Sequence, residues 1–195
     1  MHNRKILIIG EVYVDQHLDI IENGYSTSRL GGIFHAARSC DALNIEYALA
    51  YYAPDYLVKD VEKFGIDVLR ASSIFRLGKV DKAPNVMLIG QSDESGNQLY
   101  ENILGRQAEY VSMLPFMQVL DDFDPTDIII FPGRYGNAGI LSNLSNYEGK
   151  IHIDMNYDCD DILDLDTIKI QTVFLSTSST SFEEFFKEIS YDNLI

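Results

Sequence analysis

The sequence is poor in positive charge: 15 lysines and arginines stand against 30 aspartates and glutamates, a formal net charge of −15. Binding nucleic acid takes a cationic surface that displaces phosphate counterions, so this balance excludes nucleic acid as a partner. It equally excludes an anionic membrane surface. No apolar run approaches the ~18–20 residues of a bilayer-spanning helix. The start, Met1-His2-Asn3-Arg4-Lys5, does lead into Ile6-Leu7-Ile8-Ile9-Gly10. That run is short, ends in Gly-Glu and lacks a small-residue cleavage site, so it reads as a first strand and the chain as cytoplasmic. The two cysteines, Cys40 and Cys159, lie far apart with no Cys or His at metal-ligand spacing. They read as ordinary thiols of a reducing compartment, although the spacing leaves a disulfide open. His2, His17, His35 and His152 are scattered and form no zinc pattern. Neither GxxxxGK[ST] nor GxGxxG occurs. The first strand runs into Gly10-Glu11-Val12-Tyr13, which excludes a Rossmann dehydrogenase.

What is present fits one α/β domain over 1–195, with an ordinary hydrophobic fraction of 46%. Short β-rich runs occur at Lys5–Gly10, Ile45–Tyr52, Asp127–Pro132, Ile151–Met155 and Thr172–Leu175. Helix-compatible stretches lie between several of them, at Ile33–Leu43, Asp55–Phe64, Tyr110–Leu120 and Ala138–Leu144. Within the second stretch Leu57, Val58, Val61 and Phe64 recur at helical spacing, with Gly65 as the expected stop. Strands joined by helix-length crossovers imply a largely parallel sheet flanked by helices.

Two segments break this rhythm. Asn85–Gln91 and Gln98–Leu104 flank the polar turn Ser92-Asp93-Glu94-Ser95-Gly96-Asn97, which predicts an antiparallel hairpin. A second pair is expected at Gln16–Ile21 and Ser26–Leu30, across Glu22-Asn23-Gly24. Together these ribbons, about 16–30 and 85–106, read as a small antiparallel β lid over a ligand site. At the other end, Thr180–Ile189 reads as a capped helix and Asn193-Leu194-Ile195 as the first residues of a strand, so the sequence reads as cut off.

Three features suggest a polar ligand site. Asp15 follows the first strand, where open α/β sheets bind ligands beyond the carboxyl ends of their strands. Gly31-Gly32 precedes a helix, so backbone amides there are open to close approach. Arg106 follows the second hairpin, where it could meet an anionic group. Each also has an ordinary reading: a solvated carboxylate, a simple turn, a surface arginine.

Their order resembles the ribokinase-like (PfkB-type) carbohydrate kinases. Ile6–Asp15 is similar to that family's opening of strand, glycine, short polar step and aspartate. Leu30–Arg38 resembles its first signature, a Gly-Gly pair leading into an Ala-rich helix. Val61-Glu62-Lys63-Phe64-Gly65-Ile66-Asp67 matches its habitual helix end. Tyr100–Arg106 falls where the sugar-covering lid is completed, and Ile151–Asn156 resembles the strand carrying Asp-x-Asn.

The resemblance implies that Asp15 accepts hydrogen bonds from sugar hydroxyls at an exposed site, and that Gly31 and Gly32 let backbone touch the sugar. Tyr13 and His35 stand where relatives commonly place an asparagine. His35 reads equally as a half-buried helix histidine. A homodimer through the lid strands is the implied assembly. Downstream the pattern fails. Ser176-Thr177-Ser178-Ser179-Thr180 replaces the family's Asn-x-x-Glu element, and the Gly-Ala-Gly-Asp segment that supplies the catalytic base is absent from the sequence. ATP and Mg2+ are therefore expected of the complete protein and not of this chain, which is predicted to be inactive alone. The alternative is a non-catalytic sugar-binding or interaction module on the same scaffold.

Overall fold

The computed structural model describes residues 4–17, 27–92, 98–103, 108–131, 140, 143–155 and 169–175. Its frame is a seven-stranded sheet in the order β11-β10-β9-β1-β4-β5-β8. The strands are β1 (Lys5–Glu11), β4 (Glu46–Ala53), β5 (Ser73–Asp81), β8 (Glu109–Ser112), β9 (Asp127–Ile130), β10 (Lys150–Met155) and β11 (Ile170–Leu175). All neighbours pair in parallel except β5 and β8. The chain builds outward from β1 through β4 and β5, then returns to β1's other side with β9. The strand order therefore reverses at the carboxyl ends of β1 and β9.

Alternation along β1 sends its side chains into two cores. Ile6 and Ile8 face helix α1 (Phe34–Ala42) and helix α2 (Val58–Lys63), meeting Phe34, Ala37, Cys40 and Val61. Leu7 and Ile9 face helix α3 (Phe116–Phe123), meeting Phe116, Val119, Leu120 and Phe123. With both faces covered, the central strands are apolar throughout rather than alternating with polar residues. Among the described residues no helix is long and apolar enough to cross a membrane.

Two expectations are corrected here. The helix expected at Tyr110–Leu120 is instead strand β8 followed by α3. Pro115 sets the helix start, its fixed φ favouring the first turn, and residues 109–112 are drawn into pairing with β5. Gly65 is not a helix stop. The helix starts as a tight 3-10 turn at Asp55–Leu57, relaxes into α2 and then widens into a π turn at Phe64–Val68. The left-handed residue beyond it is Arg70. Gly65 is small because a Cβ there would lie 2.5 Å from Ile74 Cδ1. Strand β5 was not evident from sequence. A register shift against β4 between Tyr51 and Tyr52 breaks its alternation.

The second sheet is built from β2 (Val14–His17), β3 (Thr27–Leu30), β6 (Val86–Ser92) and β7 (Gln98–Ile103), in the order β3-β2-β6-β7. Each expected ribbon is antiparallel. A parallel pairing of β2 with β6 joins them into one sheet, which the sequence did not reveal. The first turn, residues 93–97 of the second, positions 138–139 and 141–142 of the expected helix, and everything after 175 lie outside the described residues, while Ile140 is helical and Asn143 and Leu144 lie in a turn.

Candidate functional site

Beyond Glu11 the chain leaves the main sheet and, two residues later, joins the smaller one. This seam is stitched by main-chain bonds: Val12 N–H donates to the Tyr52 carbonyl (3.0 Å), Gly31 N–H to Tyr13 (2.8 Å) and Ile33 N–H to Glu11 (3.1 Å). Gly32 has φ +61°, and a Cβ there would lie 2.1 Å from the Glu11 carbonyl oxygen. Only glycine meets both demands. At Gly31 the missing side chain makes room for Asp15, whose Oδ1 would stand 2.1 Å from an added Cβ. Space at both glycines is thus taken by the protein itself.

Asp15 was expected at an exposed site, yet it is only 4% exposed. It sits on β2, an inner strand, opposite Arg29 of β3 and Met87 of β6, with Gly31 against its carboxylate. His35, in the first turn of α1, brings Nε2 to 3.0 Å from Asp15 Oδ2, and Arg29 Nε lies 3.7 Å from the same oxygen. Both side chains are half exposed. Neither makes a well-aligned hydrogen bond, so among the described residues Oδ2 has no hydrogen-bond donor. One turn along α1, Arg38 donates from Nη2 to the Leu30 carbonyl (2.7 Å) and lies over the Phe64 ring. Burial first, then Arg29, hold its guanidinium below the usual pKa, with Asp15 acting against them.

A second buried carboxyl lies at the same seam. Glu11, 4% exposed, accepts from Tyr110 Oη at 2.8 Å and from Asn85 Nδ2 at 3.2 Å. Asn85 also donates to the Val12 carbonyl (3.1 Å) and accepts from Val14 N–H (2.8 Å) while holding φ +47°. This trio ties the root of the smaller sheet to the larger one. Sequence reasoning missed it, although an acidic residue closing an otherwise apolar strand signals a buried partner.

Of the sequence-predicted site residues, Tyr13, Asp15, Gly31, Gly32 and His35 come together at this seam. Tyr13 contributes its carbonyl to Gly31, and its ring edge flanks Gly32. Arg106 lies outside the described residues, as do Asn156 and the Ser176–Ser181 stretch. Asp154, on β10, has its carboxyl pushed above the usual range by burial. Among the described residues no group of three or more His, Cys, Asp or Glu side chains is gathered as a metal would require.

No family model matches the sequence, and no curated protein matches it. Solved structures do. A ribokinase from Giardia lamblia aligns with 88% of this chain and 57% of its own length, at TM-score 0.63 and 16% identity. A fructokinase from Xylella fastidiosa aligns with 97% and 66%, at TM-score 0.65 and 11% identity. A putative 2-keto-3-deoxygluconate kinase from Enterococcus faecalis aligns with 94% and 61%, at TM-score 0.60 and 14% identity. The chain therefore has the ribokinase-like carbohydrate kinase fold, and spans roughly three fifths to two thirds of those proteins.

Proposed function

We propose that this chain is the carbohydrate-binding portion of an ATP-dependent sugar kinase, one that transfers the γ-phosphoryl group to a sugar hydroxyl. The observation that carries the reading is the state of Asp15. Its buried Oδ2 is flanked by two half-exposed side chains and has no well-aligned donor among the described residues, so a sugar hydroxyl donating to it would be favourable. The carboxylate sits where this class of sheet takes ligands, beside the point at which strand order reverses. His35 and the backbone bond from Gly31 to Tyr13 flank it.

The sequence contains no glycine-rich phosphate segment and no Gly-Ala-Gly-Asp segment. We assign ATP, Mg2+ and the catalytic base to the complete protein, acting in the cytoplasm, and carbohydrate binding without phosphoryl transfer to residues 1–195. The outer edges of β3 and β7 are the surfaces we assign to a homodimer.

Calorimetry over a panel of sugars tests the reading. Asp15→Ala should weaken the best binder about 10- to 150-fold, the equivalent of one charge-assisted hydrogen bond. Unchanged affinity in that variant removes the assignment. An ATP-consumption assay on the same chain should show no turnover. Turnover abolished by a substitution within 1–195 would place the base inside this chain.

A further inference from the structure

We infer that the ligand held at Asp15 carries an anionic group, a carboxylate or a phosphate ester, received by Arg29 and Arg38 with His35 between them. This rests on the carbohydrate reading of the site and narrows its substrate class.

The chain as a whole is strongly acidic, with a net charge of −15. The surroundings of Asp15 reverse that sign. Arg29 lies directly across the strand pair with Nε at 3.7 Å, and His35 Nε2 is at 3.0 Å. Arg38 follows His35 by three residues and so shares its face of α1. It is anchored to the carbonyl of Leu30, the neighbour of Arg29. Arg29 and His35 thus flank the Asp15 carboxylate, and Arg38 is close enough to feel the charges of both Asp15 and Arg29. The one carboxylate of α1, Asp41, is paired with Arg70 at 3.0 Å. Glu11 is engaged by Tyr110 and Asn85.

A neutral sugar needs acceptors and donors but no excess of positive charge. Burial, and after it the charge of Arg29, hold the Arg38 guanidinium below its usual pKa. An arriving anion acts against both. Arg38 Nη1 is buried and has no hydrogen-bond partner among the described residues, so one N–H-bearing nitrogen still lacks an acceptor. Arg29 is half exposed and therefore open to a ligand. A planar guanidinium pair suits the oxygens of a carboxylate or phosphate better than lone hydroxyls. Asp15 then takes the sugar hydroxyls, and the arginines take the charged end.

The test is titration calorimetry of the 195-residue chain with neutral sugars, their aldonic acids and their phosphate monoesters, with inorganic phosphate as a fourth probe. At least one anionic series should bind tenfold or more tighter than its neutral parent, and added salt should erode that preference. Arg29→Gln and Arg38→Gln should each abolish the preference, read as the ratio of anionic to neutral affinity within the same variant. Because Arg38 is partly buried, Arg38→Lys and melting curves check that the fold survives, and Arg29→Gln decides alone if it does not. Whether aldonic acids or phosphate esters win identifies the anion. Neutral sugars binding equally well, with loss only on Asp15→Asn, overturn the inference and leave the carbohydrate reading intact. Inorganic phosphate binding as tightly as the sugar phosphate, in an Arg29-dependent way, overturns the carbohydrate reading instead. Binding of none of the probes overturns both.

Discussion

Replacing Gly31 with alanine places a methyl carbon 2.1 Å from Asp15 Oδ1 and 2.3 Å from both Cγ and Oδ2. Non-bonded carbon contacts are comfortable at about 3.5–4.0 Å, so the overlap exceeds roughly 1 Å and the carboxylate must move. Overpacking of this kind costs about 1–3 kcal/mol. Gly31 is not among the left-handed residues, so its backbone accepts alanine, and the lost chain entropy alone would stabilise by about 0.4–1 kcal/mol. The net expectation is a loss of about 1–2 kcal/mol, or roughly 2–8 °C in Tm for a chain of this size. In an Asp15→Ala background the three contacting atoms are gone, and the same substitution should become neutral or mildly stabilising. Urea and thermal unfolding of the four proteins of this cycle measure the coupling directly. Equal destabilisation in both backgrounds, or a Gly31→Ala protein as stable as the parent, refutes the packing argument.

Tyr110→Phe keeps the ring edge-on to Tyr52 but deletes the hydroxyl donated to Glu11, and should cost about 1–3 kcal/mol in urea unfolding. A Tm within 1 °C of the parent would contradict that. Tyr47 and Tyr51 have their phenols pushed up to about 12 by burial, so the folded state holds these protons more tightly than the unfolded chain. Stability should therefore fall as pH rises between about 10 and 12, by roughly 2–3 kcal/mol per tyrosine. Tyr51→Phe should remove its share of that fall and cost nothing at neutral pH, since its buried hydroxyl has no hydrogen-bond partner among the described residues. Asp154→Asn should raise Tm at neutral pH by removing a desolvated charge, and the gain should shrink as pH falls toward the carboxylate range. Melting curves across that pH interval check the sign.

The main sheet was legible because its central strands are apolar over their whole length, and Ile6-Leu7-Ile8-Ile9 admits no other placement. Strand β5 was not, because Arg76, Gly78 and Lys79 interrupt it and a register shift displaces its partners. At 110–120 local spacing favoured a helix, but pairing with β5 claimed the first residues, and only Pro115 marked the true boundary. The seam divides in the same way. Asp15, Gly31, Gly32 and His35 were found through the order of short motifs along the chain. The Glu11–Asn85–Tyr110 trio joins residues 74 and 99 positions apart, and no local pattern encodes such a meeting. The cationic surroundings of Asp15 were hidden for a related reason. Arg29 reaches it by strand pairing and belongs to no motif, and Arg38 closes the Leu30–Arg38 motif but was not read there as a charge near Asp15.

Asp15 belongs to the smaller sheet, whereas its neighbour His35 belongs to a helix packed on the larger one. A molecule gripped by both is a rivet through two plates. The two ribbons of the smaller plate cannot lift one at a time without tearing the parallel ladder between β2 and β6, so they must swing together. On the proposed reading, escape of a sugar held this way follows how often the plates part and not the breaking of any single contact. Loosening the root at Asn85 should shorten the bound lifetime even though Asn85 takes no part in the grip.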